Sequence, residues 1–346
     1  MKLLLSGYYG FGNIGDEAIL AGILTSLKGR HEITVLSNDP RSTSYLHKVK
    51  AVHRYLGALK ALFECDVLIS GGGGLLQDAT SRRSLIYYLG LIRWARKLGK
   101  RTIIFGQSLG PLSNQGLKAI QRELRGIPTA VRDIQSRKLL ADLGIHAELT
   151  ADSALLLFNP LLKNIARPSS QISPILLVPR GGHSDLTEVL AAVGSKLAAD
   201  GIPLATLALH SKQDTPEVVL LREQVPNLAL WSANNHWEAL NKISSAGFII
   251  STRLHGLILA AVANRGFAGL VYDPKVAGFL SEAGAPAFHR PIDLDSLLLL
   301  AHNRPKPLPE NLSTLTQRAH AGIRWLEKMI SAPSTTRGDK GPSIVP

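Results

Sequence analysis

The chain of 346 residues contains one cysteine, Cys65. A disulfide within the chain is therefore excluded, as is a thiolate metal cluster, and a reducing cytosol is the expected setting. Aromatic residues make up only 5% of the sequence, so aliphatic side chains must fill the core. The few rings are not interleaved with basic residues, which argues against nucleic acid as a partner. No apolar run approaches the ~18–20 residues that a membrane span needs. The first residues lack the apolar segment of a signal peptide. Asp and Glu are outnumbered 26 to 39 by Lys and Arg, for a formal net charge of +13. By itself that excess suits nucleic acid, an anionic lipid surface or a small anionic substrate, or it is no more than a basic surface.

What is present is a rhythm. Short apolar runs at 3–6, 33–37, 67–70, 102–105, 129–131 and 148–150 read as strands, and helical patterns fall at 16–28, 85–98 and 134–143. Repeated βα units predict a mainly parallel sheet with helices on both faces. The stretch FNPLLKNIARPSSQISP (158–174) breaks the rhythm with prolines and serines, which is linker chemistry. Strands then resume at 175–178, 204–208, 228–231, 248–251 and 269–272, with helices at 186–199, 218–224, 237–245, 257–263 and 312–330. The expected architecture is α/β, with two Rossmann-like doubly wound domains facing across a cleft. The N-terminal domain spans 1–160, a linker 161–174, the C-terminal domain 175–330, and a disordered tail 331–346. Ligands of such sheets bind at the carboxyl ends of the strands, so chemistry is sought in the loops that follow strands.

The first such loop lies in GYYGFGNIGDEAIL (7–20), where Gly10, Gly12 and Gly15 spell the dinucleotide fingerprint. Gly10 comes three residues too late after the strand. Asp16 and Glu17 also occupy the first turn of the next helix, where they would repel a pyrophosphate. Asp39, after the second strand, keeps the dinucleotide reading open as a minor alternative. The other readings are a flexible turn capped by Asp16, or a loop that binds sugar hydroxyls. In the second case Asn13, Asp16 and Glu17 are anchors, and Asp16 or Glu17 is a base.

SGGGGLLQD (70–78) follows another strand. Its glycines, Gly72 and Gly73 among them, let the backbone approach a ligand, or form a tight crossover between domains. The loop lacks the Gly-Lys-Ser/Thr ending of an ATP site. Gln77 and Asp78 add hydroxyl-binding capacity. AVRDIQS (130–136) places Arg132 at a strand end, as half of a salt bridge or aimed into the cleft, and Asp133 as a helix cap. TADSAL (150–155) places Asp152 after a strand, and LLVPRGG (176–182) does the same for Arg180. FIISTRLHGLILAA (248–261) is the most informative stretch: Arg253 and His255 flank the start of an apolar helix. A helix N-terminus and a neighbouring arginine both disfavour imidazolium, so a neutral base at rest is expected at His255. Lys275 follows the next strand. Taken singly, each of these is more often structural. Together Arg132, Arg180, Arg253, His255 and Lys275 lie at strand ends that converge on one cleft, which suits a small, highly charged anion. No spacing resembles a metal site. A second basic group, Arg82, Arg83 and RWARKLGKR (93–101), reads either as a solvated face or as a dock for anionic lipid headgroups or a lipid-linked diphosphate, with Trp94 at the interface.

In this order, GYYGFGNIGDEAIL, SGGGGLLQD, GQSLGPL, the Arg132-Asp133 pair, TADSAL and STRLHG resemble the polysaccharide pyruvyltransferase family, specifically its bacterial cell-wall type, CsaB, from about residue 3 to residue 330. The resemblance implies a GT-B-like fold. It also implies transfer of the pyruvyl group of phosphoenolpyruvate onto two hydroxyls of a sugar, forming a cyclic ketal and releasing phosphate. In the cell-wall type the sugar is an N-acetylmannosamine of a lipid-linked precursor, and the ketal later anchors surface-layer proteins. His255, Arg253 and Arg180 take the catalytic positions. Arg132, Arg180, Arg253 and Lys275 hold the donor, and Asn13, Asp16, Glu17, Gly72, Gly73, Gln77 and Asp78 are expected to hold the acceptor. Phosphoenolpyruvate is a substrate, and no cofactor or metal is implied. The expected setting is cytoplasmic, with peripheral contact at the inner membrane face for a lipid-linked acceptor. The rival on the same architecture is a nucleotide-sugar glycosyltransferase, which would want a ribose-binding carboxylate; Asp273 and Glu282 are its candidates.

Overall fold

The computed structural model describes residues 1–79, 82–158 and 173–332. The expected linker, apart from 173–174, and the expected tail, apart from 331–332, lie outside the described residues.

The first seven strands are β1 (Lys2–Ser6), β2 (Glu32–Ser37), β3 (Lys50–His53), β4 (Val67–Leu76), β5 (Arg101–Leu109), β6 (Thr129–Val131) and β7 (Glu148–Leu149). They form one sheet in the order β3-β2-β1-β4-β5-β6-β7. The next six are β8 (Ile175–Val178), β9 (Leu204–Leu207), β10 (Ala229–Trp231), β11 (Phe248–Ser251), β12 (Gly266–Leu270) and β13 (Ala287–Phe288), in the order β10-β9-β8-β11-β12-β13. Every pairing in both sheets is parallel. Central strands such as β8 (ILLV) and β11 (FIIS) are buried throughout, because helices cover both faces of a parallel sheet. Each sheet reverses its direction of growth beside its first strand, at β1/β4 and at β8/β11. Those switch points are where doubly wound sheets bind ligands.

Two expectations are corrected. The glycines of 71–74 are not a loop after a strand ending at 70: β4 runs on through them to Leu76. The physical reason is that β5 runs on beside them. Gly71 pairs with Phe105 and Gly73 with Gln107, and the register shifts only beyond Gly73. The first helix, α1 (Ile14–Leu27), starts two residues before the apolar pattern suggests, because Asn13 and not Asp16 is its cap. The Asn13 side chain accepts a hydrogen bond from the Gly15 N–H at 3.2 Å, which satisfies one of the helix's free donors.

α1 is buried on almost every side and lies between the two halves. Leu5, Ile23 and Phe105 of the first half share one apolar core with Leu176, Leu207 and Leu257 of the second. The Ile14 N–H donates to the Leu209 carbonyl at 2.9 Å, tying the start of α1 to the loop after β9. The last helix, Pro309–Ser331, crosses back to the first sheet. Trp325 stacks on Phe105 at 6.5 Å, Arg101 donates to the Ile330 carbonyl, and Arg30 pairs with Glu327 at 2.6 Å.

Candidate active site

The loops after β1, β4, β5 and β6 meet those after β8, β11 and β12 around a cleft of about 410 Å³. The residues that carry its chemistry fall into an ion-paired frame, a histidine facing carboxylates, and two cations that form no ion pair among the described residues.

Arg253 belongs to the frame. It sits at the cap position of the helix Leu254–Val262 and is almost wholly buried. Its Nε donates to Asp214 Oδ2 at 2.8 Å, and its Nη2 donates to the other Asp214 oxygen. Asp214 is fully buried and also accepts from the N–H groups of Gly181 (3.0 Å) and His210 (2.9 Å). One carboxylate thus locks together the loops after β8, β9 and β11. The sequence reading missed Asp214, since nothing in SKQDTP marks it out.

Arg132 fills both roles considered for it. Its Nε donates to Ser108 Oγ at 2.7 Å and its Nη1 to Asp152 Oδ2 at 2.5 Å, yet it also lines the cleft. Asp133 caps the helix Ile134–Asp142, as expected.

His255 stands where the halves meet. Its ring covers Gly15 so closely that a Cβ there would lie 2.3 Å from Nδ1. Its Nε2 is 3.6 Å from Asp152 Oδ2. On the sequence alone its neighbours are positive, which led to the expectation of a neutral base. The structure adds two carboxylates to those neighbours, because the loops after β1 and β7 bring Asp16 and Asp152 up to it. Burial pushes the Asp16 carboxyl up to about 6, with His255 and Arg132 pulling the other way. Burial also opposes ionisation of Asp152, but Arg132 and His255 outweigh it and hold that carboxyl well below its usual range. Asp16 is therefore the carboxyl placed to exchange a proton near neutrality.

Arg180 and Lys275 have no carboxylate or side-chain hydrogen-bond partner among the described residues. The Arg180 guanidinium lies 4.6 Å from the centre of the Tyr272 ring. The Lys275 ammonium lies over Gly74, 3.2 Å from where a Cβ would stand. Burial, followed by Arg132, pushes its pKa down. Two half-buried cations in one cleft favour an anion with two charged groups.

Of the expected acceptor residues, Asn13, Asp16, Gly73 and Gln77 line this cleft together with Arg132, Arg180, Arg253, His255 and Lys275. Asn13 donates to Asp16 and so orients that carboxylate. Glu17, Gly72 and Asp78 lie elsewhere. Glu17 turns inward to accept from the Gly10 N–H (2.8 Å) and to pair with His47 Nε2 (2.7 Å). A Cβ on Gly72 would strike Ile19 at 2.1 Å, so that face of the strand belongs to α1. Asp78 accepts from the Ser113 N–H (2.8 Å) and hydroxyl (2.6 Å) on the rim. Asp39 caps the helix Pro40–His47, which removes the ribose partner of the dinucleotide reading. Asp273 caps the helix Pro274–Ala283, and Glu282 pairs with Arg318, so the glycosyltransferase reading finds its candidate carboxylates engaged. His183 and Tyr272 line the cleft and were not expected. His183 precedes the helix Ser184–Ala199 and packs on Tyr272 at 4.4 Å, a contact that no local motif foretells. Among the described residues, no group of three His, Cys, Asp or Glu is placed to hold a metal ion.

A family model described as polysaccharide pyruvyl transferase matches residues 13–274. No curated protein sequence matches the chain. Among solved structures, Anabaena Alr3699/HepE in complex with UDP and glucose is 12% identical with a TM-score of 0.62, over 96% of this chain and 99% of that one. S. aureus MnaA in its UDP co-structure is 9% identical with a TM-score of 0.63, over 98% of this chain and 100% of that one. The UDP-GlcNAc 2-epimerase from Neisseria meningitidis, bound to UDP-GlcNAc, is 12% identical with a TM-score of 0.57, over 95% and 99%. At such identities the likeness is one of fold: two Rossmann-like domains in the GT-B arrangement.

Proposed function

Because the chain belongs to the polysaccharide pyruvyl transferase family, we propose that it moves the pyruvyl group of phosphoenolpyruvate onto two hydroxyls of one sugar, closing a cyclic ketal and releasing phosphate. The observation that carries this reading is the pair Arg180 and Lys275, which form no ion pair among the described residues and line the same cleft as His255 and Asp16. Phosphoenolpyruvate offers a phosphate and a carboxylate to such a pair. The acceptor we propose is an N-acetylmannosamine of a lipid-linked cell-wall precursor, as in the CsaB type, and the setting is cytoplasmic.

The donor's methylene carbon takes a proton from His255, and an oxocarbenium-like centre forms beside it. A sugar hydroxyl, its proton drawn off by Asp16, attacks that centre. Phosphate leaves, with Arg180, Lys275 and the cleft-facing edge of Arg253 stabilising its charge. The second hydroxyl then closes the ketal. Of the two hydroxyl protons released, one balances the proton gained by the methyl group and the other leaves with phosphate. These steps use no cofactor.

Phosphoenolpyruvate alone should raise the melting temperature, by mass action on the folded state. Phosphate release should then require both phosphoenolpyruvate and a sugar acceptor. Arg180→Ala and Lys275→Ala should each weaken the donor by roughly ten- to a hundredfold, the worth of a charged hydrogen bond. Stabilisation by UDP-sugars with none by phosphoenolpyruvate would overturn the reading.

Asp16 makes the reaction pH-dependent. Its carboxyl titrates near 6, so turnover should climb as pH rises through that value, and Asp16→Asn should lose this limb along with most activity. Stability runs in the opposite sense. A carboxyl raised in the folded state stabilises the fold below its unfolded value of about 3.9, and that contribution is lost as pH rises through 6. The melting temperature of Asp16→Asn relative to wild type should therefore rise between acid and neutral pH; a difference that stays flat would count against an ionising buried Asp16.

Gly15 is the position where a single methyl group should matter. Alanine there favours the helix by up to ~1 kcal/mol but displaces the His255 ring. A shift of about 1 Å costs on the order of a hundredfold in turnover. Gly15→Ala should show that loss with donor affinity retained, whereas near-normal turnover would mean that the ring position is not critical.

A further inference from the structure

Tyr55 (62%), Leu56 (89%), Leu59 (54%), Phe63 (57%), Ile86 (62%) and Trp94 (53%) are all more than half exposed, an unusual concentration of large apolar side chains in one region of the first half. They come from the loop after β3, from the helix Ala58–Glu64 and from the helix Arg82–Lys97. The two helices lie side by side on one face of the first sheet. Ala61 and Leu62 of one share a buried cluster with Leu91 and Ala95 of the other. At one end the Tyr87 hydroxyl donates to the Arg54 carbonyl at 2.8 Å, and its ring lies 5.2 Å from Tyr55. At the other end the Lys100 ammonium donates to the carbonyls of Phe63 and Cys65, both at 2.7 Å. Arg83, Ile86, Gly90, Trp94 and Lys97 follow one another at three- and four-residue steps, so they form a single stripe along the longer helix. The Lys97 ammonium sits 5.2 Å from the Trp94 ring.

The charge around this face is mainly positive, although Arg93 is paired with Glu123. Residues 82–101 hold seven Lys and Arg and no Asp or Glu. On the shorter helix Glu64 is already shared by Lys50 and Lys60. Apolar side chains set among cations fit the boundary of an anionic bilayer, where the rings and aliphatic groups enter the headgroup layer and the cations meet lipid phosphates. A second copy of this chain would instead bring like charges together. The face also leads to the cleft. The loop after β3 lies at the carboxyl edge of the first sheet, and Arg54 in it packs 5.1 Å from Phe11, in the loop that ends at Asn13.

We propose that this face, formed by the loop after β3 and the two helices, is where the protein rests on an anionic lipid bilayer, with its acceptor-side loops turned toward the membrane. That it delivers the cleft to a lipid-linked sugar rests on the reading above; the docking itself does not.

The test is co-sedimentation of the full chain with phosphatidylcholine vesicles, with and without phosphatidylglycerol. Partition should be at least about tenfold stronger onto the anionic vesicles and should fall away at about 0.5 M salt. The double variant Leu56→Glu, Phe63→Glu should lose about tenfold or more in partition while keeping its melting temperature and its phosphate release with a water-soluble acceptor. Absence of partition onto anionic vesicles, or equal partition by the variant, would overturn the proposal. So would a wild-type dimer that the variant dissolves, since the face would then belong to a second copy. Intact partition with no phosphate release from either protein would overturn the reaction and leave the docking standing.

Discussion

Arg253→Ala should lose about 3–5 kcal/mol of stability, because it strands a buried carboxylate. Asp214 is fully buried, and Arg253 is its cationic partner. Without the guanidinium, the loops after β8, β9 and β11 lose their common tie, and the donor side of the cleft goes with them. The melting temperature should fall by several degrees and activity should vanish. Pairing the substitution with Asp214→Asn separates the two effects. The asparagine removes the stranded charge and can still accept from one of the two N–H groups, Gly181 or His210, so the double variant should recover part of the lost stability but little activity. If Arg253→Ala melts like wild type, the ion pair is not what holds these loops.

His255→Ala should behave differently, although it lies two residues away. Removing a proton-transferring side chain costs roughly 10²- to 10⁴-fold in turnover. Donor binding should persist, because Arg180 and Lys275 remain, so phosphoenolpyruvate should still raise the melting temperature. Residual activity should also carry a signature. His255 is one of the groups that hold the Asp16 carboxyl down against its burial. With the imidazole gone that carboxyl should titrate higher, and the acid limb of the residual rate should move to higher pH. Near-normal phosphate release with acceptor present would remove His255 from the chemistry.

The two sheets were legible because parallel strands buried on both faces read as unbroken apolar runs, as in ILLV and FIIS. The convergence of Arg132, Arg180, Arg253, His255 and Lys275 was legible for a related reason: each ends a strand, and in doubly wound sheets strand ends meet. What the sequence hid was pairing between segments far apart in the chain. Asp214 lies 39 residues from Arg253, and the contact of Asp16 with His255 depends on how α1 wedges between the domains. Glu17 reads as well as Asp16 does, yet one helical step turns it toward His47 and away from the cleft. The glycines at 71–74 read as a loop because local propensity disfavours them in strands, and the neighbouring β5 overrode it. Short amphipathic helices such as Pro40–His47 and Ala58–Glu64 passed unread because they lack a long apolar pattern.

The return of the last helix to the first sheet has a consequence for synthesis. As the chain leaves the ribosome, the N-terminal half can pair its strands, but the surface around Phe105 that receives Trp325 waits for a segment made 220 residues later. At roughly 5–20 residues per second that delay is on the order of ten seconds or more. Throughout it, nascent chains carry an uncovered apolar seam. Chains stopped before residue 309 should therefore be recognised as unfinished by chaperones and proteases, even with every strand of both sheets already made.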